Sequence, residues 1–393
     1  MLVHRPGRYA AVIPGALARI HSDFARSGLT LGVSAGLPKK GVSDTANYLD
    51  QCGTAAIKIA DPEGFALPTD LVADPTLTEA QRTKVSYVQS APQAGTPADR
   101  SWNKQVAREQ RAAGANVLLT PGRSLDPNNA TWELAEANRA LDDLIDEVDG
   151  DEVPAWNLTL PATWLIDENL RGQLLAELVD RDDALVWYIR VRWPLIRRSF
   201  GQTLNSQLLT GYRELAETAR LEDRALLLPA TGLTGWLALS WGALGFGTGP
   251  SSASQAWADH PRIAARPGVT RTTVNRFFSS PLLHTISVDS HNSLARTLSA
   301  NDYPPCDCSY CETQAEALTW QPQTAAGHAV YAMGRLASAV ASRRRSERAS
   351  EIARLVRRSN DLYNSLPLGS QLDPKEEPEH LSVWQAEVTG SPR

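Results

Sequence analysis

Residues 185–228, LVWYIRVRWPLIRRSFGQTLNSQLLTGYRELAETARLEDRALLL, decide the fold. Leu185 to Arg192 is a β-rich run. Ser206 to Ala219 then places apolar residues at three- and four-residue intervals, which predicts a helix with one buried face. Ala225 to Leu228 is again a short apolar run of strand character. The same alternation extends in both directions. Toward the N-terminus, strand-like runs lie at Leu29 to Val33, Ala55 to Ala60, Asn116 to Thr120 and Ala155 to Leu160, with helices at Ala130 to Glu147 and Glu168 to Val179. Toward the C-terminus they continue at Leu244 to Gly247 and Leu283 to Val288. About eight strands alternating with helices predict an α/β chain with a (β/α)8 TIM-type barrel. A doubly wound open sheet is the alternative, because one sequence does not reveal whether a sheet closes. The stretch Leu233 to Gly247 reads either as helix then strand or as strand throughout.

The barrel is assigned to residues 1–300, a cysteine-containing loop with C-terminal helices to 301–366, and a loose tail to 367–393. Pro68 to Asp99, rich in Pro, Thr, Ala and Gln, reads as a long loop with at most a short helix. Composition restricts function more than it specifies it. The chain has 393 residues, 42% hydrophobic and 21% charged, and a net charge of -5, so a large core is expected and nucleic acid would have to be held by a local basic patch. No apolar stretch reaches the roughly 18 residues of a membrane span, and Met1 to Arg19 makes a poor signal peptide. A cytoplasmic protein without membrane contact is the expectation.

Three of the four cysteines lie within one short segment, CDCSYC, at Cys306, Cys308 and Cys311, while Cys52 stands alone. C-x-C-x-x-C spacing lets three thiolates occupy three corners of a tetrahedron, a pattern of metal sites and not of disulfide frameworks. His328, the nearest downstream histidine, follows Gly327 and is expected in the first turn of a long helix as the fourth ligand. Four protein ligands leave no open position, so the expected ion is a structural zinc.

A C-x-C-x-x-C site after the last barrel strands, followed by a histidine on a helix and an Arg- and Leu-rich helical tail, resembles the tRNA-guanine transglycosylase superfamily. That superfamily includes queuine and archaeosine transglycosylases and relatives that place 7-deazaguanines into DNA. The interval from Cys311 to His328 is shorter than the family's usual spacing. The resemblance implies a pentosyltransferase that replaces guanine by a 7-deazaguanine in nucleic acid, DNA or tRNA, through a covalent glycosyl-aspartyl intermediate. It also implies a homodimer or a partner subunit.

Asp61-Pro-Glu-Gly-Phe65 resembles the family's Asp-Ser-Gly-Gly-Phe/Tyr motif, which makes Asp61 the general acid/base and Phe65 the stacking aromatic. An ordinary turn opened by Asp-Pro accounts for the same letters. Asp289, at the end of Leu283 to Val288, occupies the place of the family's nucleophile, though Ser290, His291 and Asn292 follow it in place of Pro-Thr-Arg. As an alternative, Asp289 caps the next helix. Gly242-Ala-Leu-Gly-Phe-Gly247 is similar to the family's base-contacting strand, nominating Gly245 and Gly247; Asp126 is placed to read the base edge or to begin the following loop. Base exchange with retained configuration needs one carboxylate to attack and another to shuttle the proton, as in retaining glycosidases.

Arg343, Arg344, Arg345, Arg348, Arg354, Arg357 and Arg358 form a basic stripe suited to phosphates or simply to solvent, and Arg190, Arg192, Arg197 and Arg198 form a second group beside Trp193. Two further readings stand beside base exchange. One is a small-molecule barrel hydrolase or lyase using Asp289, His284 and His291. The other is a catalytically degenerate paralogue that binds nucleic acid or a partner.

Overall fold

The computed structural model describes residues 1–4, 7–67, 77–93, 95–194, 201–249, 255–257, 276–315, 320–367, 372 and 376–389. Eight parallel strands form one sheet: β1 (Leu2–His4), β2 (Gly32–Gly36), β3 (Ile57–Asp61), β4 (Val117–Leu119), β5 (Val153–Pro161), β6 (Val186–Arg192), β7 (Ala225–Leu228) and β8 (Gly245–Thr248). Their order is β3-β2-β1-β8-β7-β6-β5-β4. Every pairing is parallel, so each connection must cross over, and helices fill the crossovers. Numbering only the longer helices, these are α1 (Ile13–Asp23), α2 (Val42–Gln51), α3 (Arg100–Ala112), α4 (Ala130–Ile145), α5 (Glu168–Asp180), α6 (Ser206–Leu221) and α7 (Gly232–Ala238).

The sheet is strongly curled. Ile59, Val117, Leu119, Ala155, Tyr188 and Leu227, from β3 through β7, share one buried apolar cluster on its concave side. The intervening residues point the other way. In β6, Trp187, Ile189 and Val191 enter the large core shared with the helices, while Tyr188 and Arg190 face inward. Period-two alternation with both faces buried is why the strand reads as a nearly continuous apolar run. The outer strands β3 and β4 are themselves joined: Asn116 N donates to Lys58 O at 3.0 Å, and Asn116 Oδ1 accepts from Lys58 N at 2.7 Å.

Three sequence expectations change. The first strand, Leu2–His4, went unread because three residues are too few to display a period. The run Leu283 to Val288 lies outside the parallel sheet: β10 (His284–Ser287) pairs antiparallel with β9 (Arg276–Ser279), closed by a turn in which Leu283 has φ 47. The tail is not loose where it is described. Helix α12 (His380–Thr389), the last of the chain, buries Leu381 and Trp384, and Trp384 Nε1 donates to Thr203 O at 3.1 Å. Between them run α8 (Val288–Thr297), α9 (Ser309–Ala315), α10 (Pro322–Ala341) and α11 (Arg348–Asn364). The stretch Leu233 to Gly247 proves to be helix then strand. The long Pro68 to Asp99 segment holds the short helices Glu79–Arg82 and Ser86–Gln89, with 68–76 and 94 outside the described residues. No described helix is long and apolar enough to cross a membrane.

Candidate functional site

Two constellations carry chemistry. In the first, one ligand atom from each of Cys306, Cys308, Cys311 and His328 lies within 4.8 Å of the others. His328 Nδ1 stands 3.8, 3.3 and 3.5 Å from the three sulfurs in that order. A tetrahedral ion with bonds of about 2.3 Å to sulfur and 2.0 Å to nitrogen would separate such atoms by about 3.6 Å, so the donor set fits zinc. The other ring nitrogen, Nε2, donates to Phe278 O at 2.9 Å, which leaves Nδ1 free to ligate. His328 sits in the second turn of α10, one turn later than expected. Its ring stacks on Phe277, at 4.4 Å and 19°, and Phe277 stacks in turn on His291. Gly327 is required here, because a Cβ would fall 2.5 Å from the Tyr310 ring of the cysteine loop. Burial works against a charged His328, but hydrogen bonds with Cys306 and Cys308 raise it to about 9. Hydrogen bonds with Cys308 and Cys311 hold the Cys306 thiol well below its ordinary value, while the same cluster holds Cys311 well above it.

The second constellation lies at the carboxyl ends of the parallel strands, where the last inward-facing positions turn from apolar to polar. Asp61 ends β3 and is buried. Its Oδ1 accepts from Glu63 N at 2.9 Å; its Oδ2 accepts from Tyr188 OH at 3.3 Å and from the Arg190 guanidinium, to which it is ion-paired. Arg190, 3% exposed, also donates to Thr159 Oγ1 at 3.5 Å. Burial disfavours its charge, yet Asp61 more than compensates and raises its pKa. For Tyr188, burial and then the Asp61 charge push the phenol well up, so it remains a donor. Glu63, in a left-handed conformation at φ 48, turns back over Gly36 and pairs with Lys39 at 2.9 Å. The Glu63 carboxylate occupies the space over Gly36, where a Cβ would lie 2.3 Å from Glu63 Oε1 and displace it. Phe65 lies under the Arg190 guanidinium, 4.5 Å from its carbon to the ring centroid, and 4.8 Å from the Trp257 ring. No protein-family model, curated protein or solved structure matches this chain.

Asp61 and Phe65 both meet Arg190. Asp289 does not join them. It is exposed in the first turn of α8, beyond the antiparallel hairpin, and the cap of that helix is Ser287, whose Oγ accepts from Ser290 N at 3.1 Å. A strand paired antiparallel outside the sheet has no carboxyl end at its mouth, which removes the expected nucleophile. Asp126 caps its own turn, accepting from Asn128 N at 2.9 Å. Gly247 pairs with Leu2 within the sheet; Gly245 borders a cavity at the amino ends of the strands, together with Met1, Leu227 and Arg348. Gly245 and Arg348 thus lie at the opposite end from Asp61.

The basic groups are redistributed as well. Arg190 is not a phosphate contact, because its guanidinium is consumed inside. Arg192 is half-buried, 5.9 Å from the Trp257 ring centroid, and Arg197 and Arg198 lie outside the described residues. Arg344 and Arg345 are exposed, whereas Arg343 and Arg354 both pair with Glu351. His284 and His291 are apart from Asp61: His284 faces His380, and His291 Nδ1 lies 2.9 Å from Tyr303 OH. Sequence reasoning missed Glu63, Lys39, Tyr188 and Thr159 as site residues. The available signal was an arginine inside an apolar strand, which demands a buried acid within reach.

Proposed function

We propose that this chain is a closed (β/α)8 barrel with a structural zinc, and that it exchanges guanine for a 7-deazaguanine in DNA or tRNA at the carboxyl ends of its strands. The hydrogen bonds that join Asn116 to Lys58 support closure between β3 and β4. The observation that carries the functional reading is Asp61, buried at a strand end and ion-paired to Arg190 beside an aromatic floor of Phe65 and Trp257. Barrel enzymes place their chemistry at that face, and an aromatic ring offers a stacking surface to any base.

With Asp289 outside the site, the two carboxylates available to the reaction among the described residues are Asp61 and Glu63. Their surroundings assign different roles. Asp61, accepting from a guanidinium and a phenol, serves as the nucleophile: its oxygen bonds to C1′ as the bond from C1′ to the ring nitrogen of guanine breaks. The Lys39–Glu63 pair delivers a proton to that nitrogen. It recovers a proton from the incoming base when the new C1′–N bond forms and Asp61 is released. Arg190 is a positioning residue that orients the Asp61 carboxylate.

The exposure of Asp289 favours a second reading, in which the barrel holds a base without exchanging it. Incubation with radiolabelled guanine and either tRNA or duplex DNA separates the two. Incorporation that disappears in Asp61→Asn supports exchange, and polynucleotide retained without incorporation supports binding alone. Absence of both at low salt sinks both readings and leaves the small-molecule barrel.

A further inference from the structure

A cavity of about 50 Å³ lies under the loop that follows β4, between α3 and α4, lined by Trp102, Asn103, Gly122, Trp132, Glu136 and Asn157 among others. It is separate from the Asp61–Arg190 pair. Asn103 and Asn157 are 5% and 2% exposed, and the side-chain oxygen of each has no hydrogen-bond partner. Amide orientation is fixed at both, because each NH2 group meets a group that can only accept: Asn103 Nδ2 donates to Asp143 Oδ2 at 2.8 Å, and Asn157 Nδ2 to Thr120 O at 3.0 Å. Turning either amide over would set oxygen against oxygen. Both residues line this one cavity, and leaving their carbonyl oxygens buried and unmet is costly.

The rest of the wall selects for charge. Glu133 and Glu136 supply carboxylates, the second also paired with the exposed Arg139, and the indoles of Trp102 and Trp132 supply faces that attract cations. One cation also lines the cavity, but the Arg123 guanidinium donates outward to the backbone oxygens of Thr96, at 3.1 Å, and Gln93. Gly122, at φ 70, brings the loop directly over Asn157: a Cβ there would lie 2.0 Å from its Nδ2, so the loop serves as a close-fitting roof.

We infer that this cavity is a binding site for a small organic cation whose head group donates several N–H bonds, a guanidinium or an alkylammonium. Its volume exceeds the roughly 30 Å³ share of one water molecule and suits such a head group. The acceptors present are of the kind that recognise N–H donors, and they would discriminate against a quaternary ammonium, which has none.

Calorimetric titration of the full chain at constant ionic strength tests this, with methylguanidinium and putrescine as probes and tetramethylammonium and potassium as comparison cations. Saturable binding by one or both probes, and not by the comparison cations, is expected. The two probes distinguish an arginine-like from a lysine-like head. Glu136→Gln, at the half-buried rim, should weaken binding roughly tenfold through loss of one charge-assisted bond, and Asn103→Leu should abolish it. If Asn103→Leu does not fold, Glu136→Gln carries the decision. Absence of saturable binding, equal binding of tetramethylammonium or potassium, or unchanged affinity in Glu136→Gln would overturn the inference.

Discussion

Arg190 lies between Ile189 and Val191 in a strand whose other face is wholly apolar, and it is tolerated there because Asp61 and Thr159 accept from it and its guanidinium lies over the Tyr188 ring. Removing one partner of such a pair strands a charge, whereas removing both removes the problem. Arg190→Met should therefore lower stability by about 3–5 kcal/mol, and adding Asp61→Asn should restore part of it. Urea denaturation of the two variants checks this, and strictly additive losses would contradict a buried, coupled pair. Asp61 itself was legible in the sequence as a carboxylate at a strand end. Its partner was not, because β3 and β6 are not neighbours in the sheet and their side chains meet only across its concave side.

Among the elements, the cysteine loop and helix α10 were the most legible. Ligand spacing is local, and the three sulfurs can converge whatever the rest of the chain does. What spacing could not fix was the helical turn that carries His328, because that depends on where Pro322 starts the helix. Metal analysis should find about one zinc per chain, held through four protein ligands. Cys308→Ser should lose it outright. Gly327→Ala should weaken retention against a chelator without touching a ligand, since the added methyl pushes on Tyr310. Zinc retained in Cys308→Ser would break the ligand set. The hairpin β9–β10 illustrates the opposite case: its second strand has the composition of a sheet strand, and only its antiparallel partner at Arg276–Ser279 shows that it belongs elsewhere.

At the scale of the whole molecule, the C-terminal segment is fastened across the hairpin and the helical layer. Glu376 pairs with Arg276 and accepts from Ser287 N at 3.0 Å and Ser290 Oγ at 2.8 Å; Arg213 pairs with Glu387; and the His380 ring lies 5.4 Å from that of His284. Both imidazoles are held neutral. Burial lowers His284 to about 4, against the pull of Glu376 and with the help of Arg276, and burial takes His380 well below its ordinary value. In the unfolded chain each titrates near 6.5, so below that pH the unfolded state binds more protons than the folded one. The stabilisation from this pair is complete above about 6.5 and is lost as pH falls through about 4. Hydrogen exchange should then show α12 opening before the parallel sheet as pH drops, and His380→Gln should flatten that dependence. The sequence by itself determined the strand–helix alternation, seven of the eight sheet strands and the four side chains that cluster as a candidate metal site, because periodicity and short spacing are local properties of a chain. Tertiary structure alone decided that Leu2–His4 completes the parallel sheet, that Asp289 lies outside the site, and that Arg190 and Glu63 lie within it. Those outcomes depend on sheet order, register and the inward or outward sense of each strand, which arise only when residues far apart in the chain pack against one another.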